Sequence, residues 1–130
     1  MATDVSPLRQ QLWRLYAATA RTLRRLQRSQ PMVQGSFYLQ HRRCGKPNCR
    51  CAQGQLHAAW VITRSQAGKN HTFMVPAEQR AQLRQLTQEY RRYQRSRAVL
   101  VKRHLQLLAL VDRLAALRWV NWPPPKDPDG

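Results

Sequence analysis

The sequence predicts an α+β fold: an N-terminal helix, a small antiparallel three-stranded meander interrupted by a cysteine-rich loop, then a long C-terminal helix or two helices. Three observations carry that expectation. Leucines recur at three- and four-residue steps before Pro31, apolar and polar residues alternate in short runs over 35–76, and a three-four alternation returns after Pro76. The 130 residues fit one domain, taken as 1–122, followed by a Pro-rich tail at 123–130.

The first helix is expected over 6–30. Ser6 is a good N-cap and Pro7 a good first helical residue. Leu8, Leu12, Leu15, Leu23 and Leu26 form the apolar stripe, and Trp13 and Tyr16 widen it. Arg9, Arg14, Arg21, Arg24, Arg25 and Arg28 fall mostly off that stripe, and Pro31 ends the helix.

The period then changes. Phe37, Leu39 and His41 alternate with Tyr38, Gln40 and Arg42, as in a strand. His57 to Arg64 reads as a second strand, with Trp60 and Ile62 on one face and Val61 on the other. Ala67-Gly68-Lys69 is a turn signal, and His71 to Val75 a third strand that forms a hairpin with the second. The cysteine-rich loop, 44–57, separates the first two strands.

Pro76 opens the last helical pattern, over 77–118, with Glu78 in its first turn where the helix dipole favours an acid. Leu83, Leu86, Tyr90, Tyr93, Leu100, Leu107, Val111 and Leu114 form its seam, and Arg97 and His104 interrupt it. This is one helix roughly 60 Å long, at 1.5 Å per residue, or two with a joint near Arg95-Ser96. Residues 105–117 are apolar enough to need a partner. The N-terminal helix is the first choice, as a helical hairpin; a homodimer or another protein docked on the 83–117 seam competes with it. The tail from Trp122-Pro123-Pro124-Pro125 cannot continue a helix and is expected to be disordered.

Charge bounds the partners. Lys and Arg number 23 against 6 Asp and Glu, a net charge of +17 with pI near 11.6. Between Asp4 and Glu78 there is no carboxylate at all. A field of this sign favours a polyanion, and arginine's planar fork suits phosphate. Nucleic acid, DNA ahead of RNA, is the expected partner, with an anionic membrane surface as the competing one. No run approaches the roughly eighteen apolar residues of a membrane span. The absence of a secretory apolar run and the clustering of all three cysteines point to a reducing cytoplasm.

Cys44, Cys49, Cys51 and His57 supply three thiols and an imidazole in fourteen residues, a donor set suited to one tetrahedral, structural zinc ion. Gly45, Pro47 and Gly54 let the backbone fold back around an ion, whose binding would supply folding energy to a loop with little core. His41 is a rival fourth ligand. Plain reduced thiols, or a redox disulfide between Cys44 and Cys49, are the other readings. Catalysis is not expected. A catalytic zinc keeps an open position and a nearby carboxylate, and this window has none; nor does a phosphate loop or nucleophile elbow occur elsewhere.

The run Gly35-Ser36, Arg43-Cys44-Gly45-Lys46-Pro47-Asn48-Cys49-Arg50-Cys51-Ala52, Leu56-His57 and Val75-Pro76 resembles a family of small bacterial and archaeal proteins classed as a domain of unknown function and often met near transposase and mobile-element genes. The resemblance spans about residues 34–100 and implies that Cys44, Cys49, Cys51 and His57 act together. Ala58 and Ala59 stand where that family has Gly and Pro, which alters the local turn and not the ligands.

For nucleic acid, the expected phosphate contacts are Arg42, Arg43, Lys46, Arg50 and Arg64 on the loop and meander, extended by Arg80, Arg84, Arg91, Arg92 and Arg95 on the long helix. Tyr38 and Trp60 are the residues that could stack on bases; Trp60 reads better as core, and Tyr38 as either. Tyr90 and Tyr93, at seam spacing, read as core.

Overall fold

A computed structural model of the protein describes residues 3–128. Its elements are α1 (Ser6–Leu26), β1 (Ser36–Arg42), a 3-10 turn (Arg50–Gln53), β2 (His57–Gln66), β3 (Lys69–Met74), a second 3-10 turn (Ala77–Gln79) and α2 (Arg80–Arg118). The fold is α+β, with one three-stranded antiparallel sheet in the order β1-β2-β3. The chain divides into two compact units. One takes the chain up to Arg28 and from Ser96 onward, and the other is Ser29–Arg95.

In the helical unit, α1 starts at Ser6 with Val5, not Ser6, as N-cap. The capping oxygen comes from further back: Asp4 Oδ1 accepts the Ser6 N–H at 3.0 Å. The helix ends at Leu26, four residues short of the expected 30, because Gln27 leaves the helical region with φ −88 and ψ 47. The residues turned inward are Val5, Leu8, Leu12, Leu15, Thr19, Thr22 and Leu26, an unbroken three-four series. Thr19 and Thr22 therefore complete the inward series, while Leu23, Trp13 and Tyr16, expected on the stripe, are exposed. Each threonine hydroxyl donates to the carbonyl four residues back, Thr19 to Leu15 at 2.8 Å and Thr22 to Ala18 at 3.2 Å, so a polar side chain is buried with its donor satisfied.

α2 is a single 39-residue helix with no joint at Arg95-Ser96. Its inward series in the helical unit is Ser96, Leu100, Arg103, Leu107, Leu110 and Leu114. The expected seam through Arg97, His104 and Val111 is thus one residue out of phase at three of its positions, and those three side chains are exposed. The first residues of α1 and the last turn of α2 line one shallow groove, with Val5 and Arg9 beside Leu114 and Leu117, so the two helices run antiparallel. After Arg118 the chain has no regular element through residue 128; the end of the expected disordered tail, 129–130, lies outside the described residues.

In the Ser29–Arg95 unit, β2 is the central strand. It pairs with β1 from Ser36↔Thr63 to Arg42↔His57 and with β3 from Val61↔Met74 to Gln66↔Lys69. The second pairing closes on the two-residue loop Ala67-Gly68, both at positive φ (51 and 77), the geometry that matches strand twist. β3 therefore begins two residues earlier than expected. Val61 and Ile62 on β2 and Val75 just after β3 are the buried apolar residues of this unit, together with Cys51. Gly35 is required at the mouth of β1. Its φ is +147, and a Cβ there would lie 2.6 Å from Ile62 Cγ2 and 3.0 Å from the Thr63 carbonyl oxygen. The segment before β1 is tied to α2 by Val33 N–H donating to the Leu86 carbonyl at 3.1 Å.

Candidate functional site

The loop between β1 and β2 folds back on itself through its own backbone. Cys49 N–H donates to the Lys46 carbonyl at 3.2 Å and Ala52 N–H to Cys49 at 3.0 Å. Gly54 then ends the short 3-10 turn in the left-handed region, φ 105, and its N–H caps the turn. Gly45 takes φ 81 just after the first cysteine. These two reversals bring the ends of the motif together, and His57 opens β2 directly opposite Arg42.

The result is a cluster in which the ligand atoms of Cys44, Cys49, Cys51 and His57 all lie within 4.8 Å of one another. Cys44 Sγ and Cys51 Sγ are 3.3 Å apart, and Cys49 Sγ lies 3.0 Å from His57 Nε2. A tetrahedron with metal–sulfur bonds near 2.3 Å has edges of about 3.8 Å, so no spacing need change by more than about 1 Å to hold an ion. Cys51 is 1 % exposed, the floor of the site, whereas Cys44 and His57 face solvent. His41 is not a member of the cluster; it sits on β1 opposite Ala58. All three cysteines are free thiols, with no Cys44–Cys49 disulfide.

The two sulfurs of that pair differ in acidity. Cys51 is pulled below the ordinary thiol range, chiefly because the Cys44 N–H donates to its sulfur at 3.3 Å. Cys44 has a lowering backbone hydrogen bond at Lys46, but the neighbouring Cys51 thiol, burial and Cys49 outweigh it and push it up. Metal binding would replace this shared hydrogen-bonding arrangement with deprotonated ligands.

The ten basic residues singled out above all belong to the Ser29–Arg95 unit, which holds eleven Lys and Arg against two acids, Glu78 and Glu89. Arg43, Lys46 and Arg50 are exposed in or beside the cysteine loop, and Arg42 ends β1 with its guanidinium 3.9 Å from Met74 Sδ. Arg80 and Arg84 are brought together on the indole of Trp60, at 5.6 and 5.1 Å, and Arg84 also covers Phe37 at 5.4 Å. Phe37 and Trp60 stack at 5.0 Å, so Trp60 is a packing residue roofed by arginines. Arg91, Arg92 and Arg95 are exposed on α2, with Arg92 3.7 Å from Glu89.

Phe73 escaped the sequence reading. It is 43 % exposed on β3, with the Arg64 guanidinium 4.8 Å from its ring centre and His71 stacked beside it at 6.4 Å. The available signal was the strand alternation of His71 and Phe73, which puts both on the Arg64 face. Tyr38, 40 % exposed, lines a polar recess with Thr63, Asn70, Tyr90 and Gln94, where the Tyr90 hydroxyl accepts from Gln94 Nε2 at 3.1 Å. Tyr90 is half-buried, as expected for core, whereas Tyr93 lies toward solvent.

No curated protein and no solved structure matches the chain. A family model does, and its span takes in α1, which the sequence resemblance had left out, together with the whole sheet and cysteine loop and the first residues of α2. On that match, over residues 7–85, the chain belongs to the family described as Domain of unknown function (DUF6788).

Proposed function

We propose that the protein is a non-catalytic nucleic-acid-binding accessory protein whose cysteine loop is a closed, structural zinc knuckle. The observation that carries this reading is the convergence of four protein ligands within 4.8 Å in a stretch of chain that has no carboxylate between Asp4 and Glu78. Three thiolates and an imidazole fill a tetrahedral zinc ion, leaving no position for a substrate and no adjacent general base. What remains available to a partner is charge.

The charge is of the kind that grips phosphate. Arg43, Lys46 and Arg50 ride on the loop that the metal would hold rigid, and Arg64, Arg80 and Arg84 are backed by aromatic rings, which limits the side-chain freedom lost on binding. Contacts of this sort give affinity with little sequence preference. Phe73 and Tyr38 are the exposed rings on which an unpaired base could stack. A role in mobile-element DNA processing is consistent with the genomic neighbourhood implied by the sequence resemblance, and DNA is proposed ahead of RNA on that basis.

The test is a salt titration of binding to duplex DNA, single strands and anionic vesicles, with metal content measured by native mass spectrometry. One zinc per chain is expected, with a log–log salt slope of about −0.9 for each phosphate neutralised on duplex. Replacing Arg43, Lys46 and Arg50 together by Gln should reduce the slope by about three. Salt-sensitive binding to vesicles but not to polynucleotides refutes the reading.

A further inference from the structure

The helical unit buries one face and leaves a second apolar face open. On α1 the exposed Trp13, Tyr16 and Leu23 each follow a buried or half-buried residue by one position: Leu12, Leu15 and Thr22. On α2 the exposed Val101, Leu108 and Val111 follow Leu100, Leu107 and Leu110 in the same way, and Leu105 lies between the first two. These seven side chains are 46 to 69 % exposed. In two antiparallel helices, a step of one residue forward from the shared seam turns toward the same flank on both. The two exposed series therefore form one apolar strip, two helices wide. Trp13 and Tyr16 already pack edge to face at 5.7 Å within it.

The other flank, one residue behind each seam, is mainly of opposite character, with Val99 as its exposed large apolar residue. It carries Arg14, Arg21 and Arg25 on α1 and Lys102, Gln106 and Arg113 on α2, all exposed. Solvent accounts for that side and not for the first.

We propose that the strip is a self-association surface, and that a second copy of this chain docks on it to make a four-helix bundle. Area and charge both favour this occupant. The seven side chains expose on the order of 700 Å² per copy, so a symmetric pair buries about 1,400 Å², inside the range of specific, stable interfaces. Val101, Leu105 and Leu108 repeat at four and three residues, the spacing by which helices pack on helices. A twofold axis near Ala20 and His104 brings Arg97, at one end of the strip, to the other end of the second copy. That end carries Asp112, the one acidic residue between Ser96 and Arg118.

Sedimentation velocity of the full chain, at salt high enough to screen its charge, tests the proposal. A mass near twice 15.2 kDa is expected. Leu108→Lys should raise the dissociation constant roughly tenfold or more, because it places like charges in the centre of the interface. Gln106→Lys adds the same charge on the basic flank and should leave the dimer intact. Tyr16→Lys repeats the test from the other helix should Leu108→Lys fail to fold, as judged by circular dichroism. A monomeric wild-type chain overturns the proposal, and so does a dimer that both strip variants leave unchanged. A chain that stays monomeric while binding phosphatidylserine vesicles through Leu108 would assign the strip to a bilayer instead.

Discussion

The cysteine loop and the helix pair solve the same problem, holding a chain in place, by opposite means. The loop between β1 and β2 has one buried side chain, Cys51, and its remaining order comes from short backbone hydrogen bonds and four donors aimed at one point. The helix pair has no such point. It has instead a row of buried and half-buried side chains on each helix, Val5 to Leu26 on α1 and Ser96 to Leu114 on α2. A point site fails all at once when one ligand is lost. A line of contacts weakens by increments, because each side chain contributes only its own burial and cavity terms. The loop is where a single atom matters, and the helix pair is where the pattern matters.

The largest effect should therefore come from the smallest deletion. Cys51→Ala removes one sulfur and the acceptor of the Cys44 N–H. Metal affinity should fall by more than the roughly 10–100-fold typical of losing a supporting group, since a ligand itself is gone. Chelating the wild-type protein should have the same consequence: amides from Arg43 to His57 lose their dispersed NMR signals while far-ultraviolet circular dichroism keeps its helical amplitude. A parallel loss of helix on chelation would erase the distinction between the two regions.

Leu8→Ala sharpens the comparison from the other side. Leu8 is 6 % exposed in the α1 series, and its truncation should cost about 2–4 kcal/mol in denaturant unfolding. Metal stoichiometry should stay at its wild-type value. A helical unfolding midpoint that Leu8→Ala leaves in place would mean that Leu8 does not limit the helix pair.

How legible each region was follows from the same contrast. The metal donors stand within fourteen residues and need only local chain reversal, which Gly45 and Gly54 announce, so the loop's chemistry could be read directly. His57 over His41 was a close choice from sequence; register decides it, since His57 is the strand residue that follows the loop and meets Arg42. Seam phase is a different matter. Leu100, Leu107 and Leu114 satisfy two registers equally, and the choice between Arg97, His104, Val111 and Ser96, Arg103, Leu110 depends on what α1 presents. Counting hydrophobicity favoured Leu23 over Thr22, whereas the fold buries the shorter side chain, which can satisfy its own hydroxyl. The roofing of Trp60 by Arg80 and Arg84 joins residues twenty or more positions apart, and no local pattern announces it.

The smallest expected effect tests the first turn of the helix pair. Asp4 accepts the Ser6 N–H, and that hydrogen bond, helped by the Ser6 hydroxyl and the Arg9 charge, holds its carboxyl below the usual 3.8. A carboxyl whose folded-state value is depressed stabilises the fold above its unfolded value and ceases to do so as pH falls through the lowered one. The helix dipole acts in the same direction, since a carboxylate at an N-terminus is favourable and a neutral acid is not. Asp4→Ala should thus melt slightly below wild type at pH 7, and the gap should close as pH falls below about 3.8. Because Asp4 is exposed, added salt should narrow the charge part of the gap at pH 7 while leaving the hydrogen-bond part. A gap that persists unchanged into acid would place the capping role with another group and leave the Asp4 carboxylate as a bystander.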